Sequence, residues 1–117
     1  MTNPKDVIGA KKSPLHLLPG TVKVAVSYAL GTGAAKYGRY NWRTQKIQSS
    51  MYEAAIERHL ELYKDGEDLD PETGCHHLAH LIAGASILLD AQITGGMIDD
   101  RWKTGLVALM MKDKDND

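Results

Sequence analysis

The sequence contains no phenylalanine, and aromatic residues make up only 6% of it. Its core must therefore be built from Leu, Ile, Val, Ala and Met. The single cysteine, Cys75, excludes a disulfide framework within the chain and fits a reducing compartment. Cys75 stands beside His76 at an expected helix start, a setting that suits a nucleophilic thiolate; the plainer reading is a small residue near a cap. No apolar run approaches the roughly 18 residues of a membrane span. The polar start MTNPKDVIGAKK lacks the apolar stretch of a signal peptide, so a cytoplasmic protein is expected. A net charge of -1 offers no electrostatic footprint for nucleic acid or a membrane surface. Convincing strand alternation is missing, as are the HExxH of zinc peptidases and an adjacent His-Asp pair.

What is present is helical spacing. With 117 residues the chain fits one domain. A domain of that size is marginal, and self-association adds stability. Residues 1–13 read as a polar extended arm. The segment Pro14 to Pro19 is apolar and bracketed by prolines, and is expected to pack as a lid on the core. From Gly20 a helical face carries Val22, Val26, Ala29 and Leu30. Gly31 and Gly33 either break that helix or let another backbone approach. A second helix is expected over 51–64, capped by Ser49 or Ser50; with Ser50 as the cap, Glu53 completes a capping box. Tyr52, Ile56 and His59 share its inward stripe, whereas Glu57 and Glu61 lie on a charged, solvated one. A third helix is expected over 75–93, capped by Thr73 or Gly74 and apolar nearly all round, hence buried on several sides. Gly84 would allow close helix contact, across a dimer interface for example. Residues 95–117 read as a turn, a short apolar helix and a frayed tail. The expected class is all-α: a small bundle of three main helices plus short terminal ones, with a core over 14–94, completed by homo-oligomerisation.

Chemistry concentrates in Arg58 to His80, which holds four of the five histidines. His77 and His80, three apart, project from one helix face, and His59 comes from the inner face of the preceding helix. The loop between them supplies Glu67 and Asp70. Imidazoles with carboxylates suit a divalent metal; the competing reading is a buried polar network without one. The segment 36–43 mixes cations with aromatics. Tyr37 and Trp42 can stack on a base and Lys36 can meet phosphate, or the aromatics can simply anchor a loop.

Taken together, Leu17-Leu18-Pro19, Lys36-Tyr37-Gly38, Asn41-Trp42, Arg58-His59-Leu60, Gly66-Glu67, Asp70-Pro71-Glu72-Thr73-Gly74 and His77-Leu78-Ala79-His80 resemble the phage-type dATP/dGTP diphosphohydrolase N-terminal domain family. The resemblance covers about residues 14–94. It implies a helical, oligomeric nucleotide pyrophosphohydrolase related to MazG-like enzymes, dependent on Mg or Mn. Such an enzyme would convert purine deoxynucleoside triphosphates to monophosphate and pyrophosphate, in the host cytoplasm if phage-encoded. Those relatives bind metal through paired ExxE and ExxD motifs, and here His77-x-x-His80 stands where the second would fall. The site residues expected on this basis are His59, Glu67, His77 and His80 for metal, Glu67 and Asp70 for catalysis, and Lys36, Tyr37, Asn41, Trp42 and Arg58 for the nucleotide. The rival reading is a non-catalytic protein that sequesters a signalling nucleotide of host defence.

Overall fold

The N-terminal arm is not wholly extended. In a computed structural model describing residues 3–112, helix α1 spans Pro4–Gly9. The Asn3 side chain accepts from the Lys5 N–H at 2.8 Å and Pro4 supplies a fixed φ in the first turn. A 3-10 turn at Leu15–Leu17 follows. Leu15, Leu17 and Leu18 are 76, 71 and 55% exposed, so the proline-bracketed segment is not a lid on the chain's own core.

Helix α2 spans Gly20–Tyr37. It runs straight through Gly31 and Gly33, because neither takes a positive φ. Nothing lies within 4 Å of a Cβ placed at either, so no neighbouring backbone uses the gap. The helix ends at Gly38, whose φ of 89° few other residues tolerate. After Tyr40 comes the single turn α3, Asn41–Thr44. Strand β1, Ile47–Gln48, pairs in parallel with β2, Met97–Ile98. Two-residue segments carry no readable period, so this ladder has no signature in the sequence. It carries the chain past Trp42: a Cβ at Gly96 would meet the Trp42 carbonyl oxygen at 3.0 Å.

Helix α4 spans Ser49–Lys64. The expected Ser50–Glu53 box does not form. The Asp100 carboxylate instead accepts from Ser49 Oγ at 2.6 Å, from the Ser50 N–H at 2.9 Å and from the Ser50 hydroxyl. An anion at a helix N-terminus satisfies free N–H groups and the helix dipole together. Glu53 turns elsewhere and leaves Oε2 buried without a hydrogen-bond partner.

Helix α5 spans His77–Thr94 and α6 spans Val107–Met110. The N-cap of α5 is His76, not Thr73 or Gly74; its Nδ1 accepts from the Leu78 N–H at 3.0 Å. Both α4 and α2 pack on α5, which is the central helix. The α2–α5 contact is made of small and branched residues, Val26, Ala29, Ala79 and Ala83, with Val22 and Leu30 packed against them. On the other flank Gly84 faces Ile56 of α4. A Cβ at Gly84 would lie 3.4 Å from Ile56 Cγ1, so that close approach is made within the chain. The all-α expectation holds, with α2, α4 and α5 as its three main helices. The tail expected to fray lies mostly outside the described residues.

Candidate functional site

The loop between α4 and α5 is held by its own backbone. Asp70 N–H donates to the Cys75 carbonyl at 2.8 Å, Gly74 N–H to Asp70 at 2.7 Å, and His77 N–H to Asp68 at 2.8 Å. The Asp70 side chain accepts the Glu72 N–H at 2.8 Å. These bonds set Glu67, Asp70 and Thr73 against the start of α5. His77, the first residue of α5, is 1% exposed. Its Nε2 meets Glu67 Oε1 at 2.7 Å and its Nδ1 meets His59 Nδ1 at 2.9 Å. With neutral rings, the His77 Nε2–H donates to the carboxylate and the His59 Nδ1–H donates to the lone pair of His77. His80 stacks on His59, centroids 4.8 Å apart at 14°, and its Nε2 meets Thr73 Oγ1 at 2.6 Å with Asp70 Oδ2 at 3.8 Å. Burial, followed by the neighbouring imidazoles, lowers the pKa of His59. Burial likewise lowers that of His80, against the pull of Asp70. Both rings are biased toward the neutral form that ligates a metal or accepts a proton.

One ligand atom each from His59, Asp70 and His77 lie within 4.8 Å of one another. Two imidazole nitrogens converging at 2.9 Å, with a carboxylate nearby, fit a divalent cation by donor chemistry and spacing. Glu67 would then hold the far nitrogen of His77, the carboxylate–imidazole arrangement that orients ligating histidines.

A cavity of about 290 Å³ opens beside this cluster. It is lined by His59, Asp70, Thr73 and His80 of the cluster, by Lys36 and Tyr37 of α2, by Asn41 and Trp42 of α3, by Tyr52 of α4 and by Ala83, Gly84 and Ile87 of α5. Trp42 is braced from α5. Asp90 accepts from Trp42 Nε1 at 2.7 Å and from Arg43 at 2.9 Å and 2.8 Å. The Arg43 guanidinium, then the Trp42 indole, pull the Asp90 carboxyl down to about 2. Lys36 and Glu72, both lining residues, pair at 3.2 Å.

The chain matches the family described as dATP/dGTP diphosphohydrolase, N-terminal, over residues 2–101. It belongs to that family. A relative called dATP/dGTP diphosphohydrolase, from Salmonella phage PMBT28, is 35% identical over 98 residues, covering 81% of this chain and 32% of the relative. The chain therefore spans about a third of that relative's length. No solved structure matches it.

In this member of the dATP/dGTP diphosphohydrolase N-terminal family, most residues expected from sequence meet at the cavity. Lys36, Tyr37, Asn41, Trp42, His59, Asp70 and His80 all line it. His77 is bonded to His59 and is not itself among the lining residues. Glu67 is bonded to His77 and is not among the lining residues. Arg58 is exposed and lines a separate shallow surface with Glu57 and Glu61, outside the cavity. Three further residues of consequence emerge only from the fold. Thr73, a cap candidate by residue type, holds His80 instead. Tyr52, on the inward stripe of α4, lines the cavity, where burial raises its pKa. Asp90 carries no sequence signal beyond being one acid on an apolar helix, which is itself a hint that it has a partner.

Proposed function

We propose that this chain is the nucleotide-hydrolysing portion of a metal-dependent pyrophosphohydrolase. Its substrates are purine deoxynucleoside triphosphates, dATP and dGTP, and its products the monophosphate and pyrophosphate. The observation that carries this reading is one cavity lined both by stacking and hydrogen-bonding groups and by an imidazole–carboxylate cluster. Its volume sits at the lower edge of the roughly 300–1,000 Å³ of small-ligand sites. Family membership and the name of the phage relative support the same substrate class.

In this reading Trp42 and Tyr37 stack on the base and Asn41 hydrogen-bonds its edge. Asp90 keeps the Trp42 ring in place. Lys36 exchanges Glu72 for phosphate oxygen. Lys36 is the only Lys or Arg among the lining residues. One lysine cannot balance a triphosphate, which is a reason to expect Mg or Mn at His59, His77 and Asp70. Such an ion, when bound, supplies neutralisation of phosphate charge and activation of water. In this reading Asp70 serves either as that ligand or as the base, while His80, held by Thr73 Oγ1, keeps a neutral ring beside it. Glu67 acts through His77 as an orienting group rather than on substrate. In a phage setting the outcome is withdrawal of purine deoxynucleotides from the pool.

The test is a panel of deoxynucleoside and nucleoside triphosphates incubated with the protein and Mn, scored for pyrophosphate release and for binding. Release from dATP or dGTP is expected, and is lost in Asp70→Asn. Tight binding without turnover of any triphosphate would replace this reading by nucleotide sequestration.

A further inference from the structure

Helices α4 and α5 run antiparallel beside the cavity, and their register orders its lining residues from end to end. His59 of α4 stacks on His80 of α5. Three residues earlier on α4, Ile56 lies against Gly84, four residues later on α5. The next turn of each helix brings Tyr52 level with Ile87, and both line the cavity. Tyr52 stands about 10 Å from His59 along the axis, seven residues at 1.5 Å each. Trp42 belongs to the Tyr52 end, because Asp90, three residues beyond Ile87, accepts its indole N–H at 2.7 Å. Lys36 belongs to the His59 end, through its pair with Glu72, two residues from Asp70. Phosphates therefore go with Lys36 and the cluster, and a base goes with Trp42 and Tyr52.

At the base end, most hydrogen-bonding groups are already engaged or hydrated. The Trp42 indole N–H is taken by Asp90. Tyr37 is 71% exposed, so its hydroxyl keeps water. Tyr52 and Asn41 are half-buried, and the hydroxyl of one and the side-chain amide of the other have no hydrogen-bond partner among the described residues. The Tyr52 oxygen is not sealed in, since Glu53 Oε2 is the one fully buried orphan among those residues. Burial, then the neighbouring Tyr37, raises the Tyr52 pKa, so the phenol keeps its proton at neutral pH.

Adenine and guanine differ at C6, where one carries an amine donor and the other a carbonyl acceptor. A carboxylate serves only the first and a lysine only the second, whereas a hydroxyl serves either by rotating. We infer that Tyr52 reads the C6 group of the purine, its O–H donating to guanine O6 and its oxygen accepting from the adenine amine. The Asn41 amide N–H then donates to N7, which both purines share. This role rests on the proposed function and gives the physical reason that one cavity takes two bases of opposite polarity.

The experiment is calorimetric binding to the full chain with Mn, for wild type and for Tyr52→Phe, which keeps the ring and removes only the hydroxyl. The probes are the α,β-methylene triphosphates of deoxyadenosine, deoxyguanosine and unsubstituted purine deoxyriboside, and inorganic tripolyphosphate. Loss of one hydrogen bond is expected to raise the dissociation constants of the adenine and guanine probes about 3- to 10-fold, with those of the other two changed by less than about twofold. Unchanged binding of the adenine and guanine probes overturns the inference, as does a loss confined to one base. An equal loss for unsubstituted purine or for tripolyphosphate also overturns it, because the hydroxyl then supports the fold and not the C6 contact. Wild type gives a reading that needs no variant: it should bind the unsubstituted purine about 3- to 10-fold more weakly than the other two nucleotides, and parity overturns the inference. A wild type that binds none of the three nucleotides overturns the nucleotide reading and this role with it; binding without the C6 pattern overturns this role alone.

Discussion

His77 is the residue whose removal most directly tests how the site is held. Replacing it with alanine deletes two hydrogen bonds, to Glu67 at 2.7 Å and His59 at 2.9 Å, and empties a position that is 1% exposed. A bond to a charged acceptor contributes about 1.5–3 kcal/mol and a neutral one about 0.5–1.5. Glu67 is 43% exposed, so solvent screening puts its bond at the bottom of that range. The vacated ring volume costs further, and alanine's better helix propensity returns about 0.5 kcal/mol. The expected loss is about 2–3 kcal/mol, a large share of a stability of about 5–15. Urea unfolding followed by circular dichroism, at one fixed protein concentration, should show a midpoint lowered by about 1–2 M for an m-value typical of this size. A loss under about 0.5 kcal/mol would mean that the His77 bonds are not formed in solution. A double-mutant cycle with Glu67→Ala sharpens this: a coupling of about 1 kcal/mol is expected, and additive effects would refute the pairing.

Gly31→Ala and Gly33→Ala should each raise stability by about 0.5–1 kcal/mol in the same assay, because both sit in helical backbone with open space for a methyl group. Asp90→Asn should red-shift Trp42 fluorescence and weaken nucleotide binding while the far-ultraviolet spectrum is retained; an unchanged dissociation constant would remove Asp90 from any positioning role. His59 and His80 titrate lower in the folded state than in the unfolded chain. Below about pH 6.5 the unfolded chain therefore takes up protons that the folded state refuses, so their contribution is present above that pH and lost on acidification. Melting temperature should fall between pH 7.5 and 5.5, and less steeply in the double variant His59→Gln with His80→Gln. Ser49 and Ser50 pull Asp100 down to about 2, so its support of α4 should persist to lower pH than an ordinary carboxylate allows and vanish only as pH falls toward 2; Asp100→Asn should remove that part of the acid transition.

Helical spacing by itself determined much of this protein. The register of α4 put His59 inward and Glu57 and Glu61 outward, and a three-residue step put His77 and His80 on one side of α5. The turn chemistry of Pro71 and Gly74 told that the two helices fold back on each other. These are local facts, because side-chain direction along a helix follows from backbone geometry alone. Only the tertiary structure decided who bonds to whom. Asp100 caps α4 from 50 residues away, Asp90 reaches 47 and 48 residues back to Arg43 and Trp42, and Lys36 finds Glu72 at 36. No period records such pairings, and each depends on how two helices happen to be docked. The roles of Glu67 and Arg58 turned on the same point: the family resemblance marked both as candidates, and packing turned Glu67 toward His77 and Arg58 away from the cavity. The apolar character of α5 was plain in the sequence, but which side of it the chain leaves uncovered was settled only by where α2 and α4 come to rest.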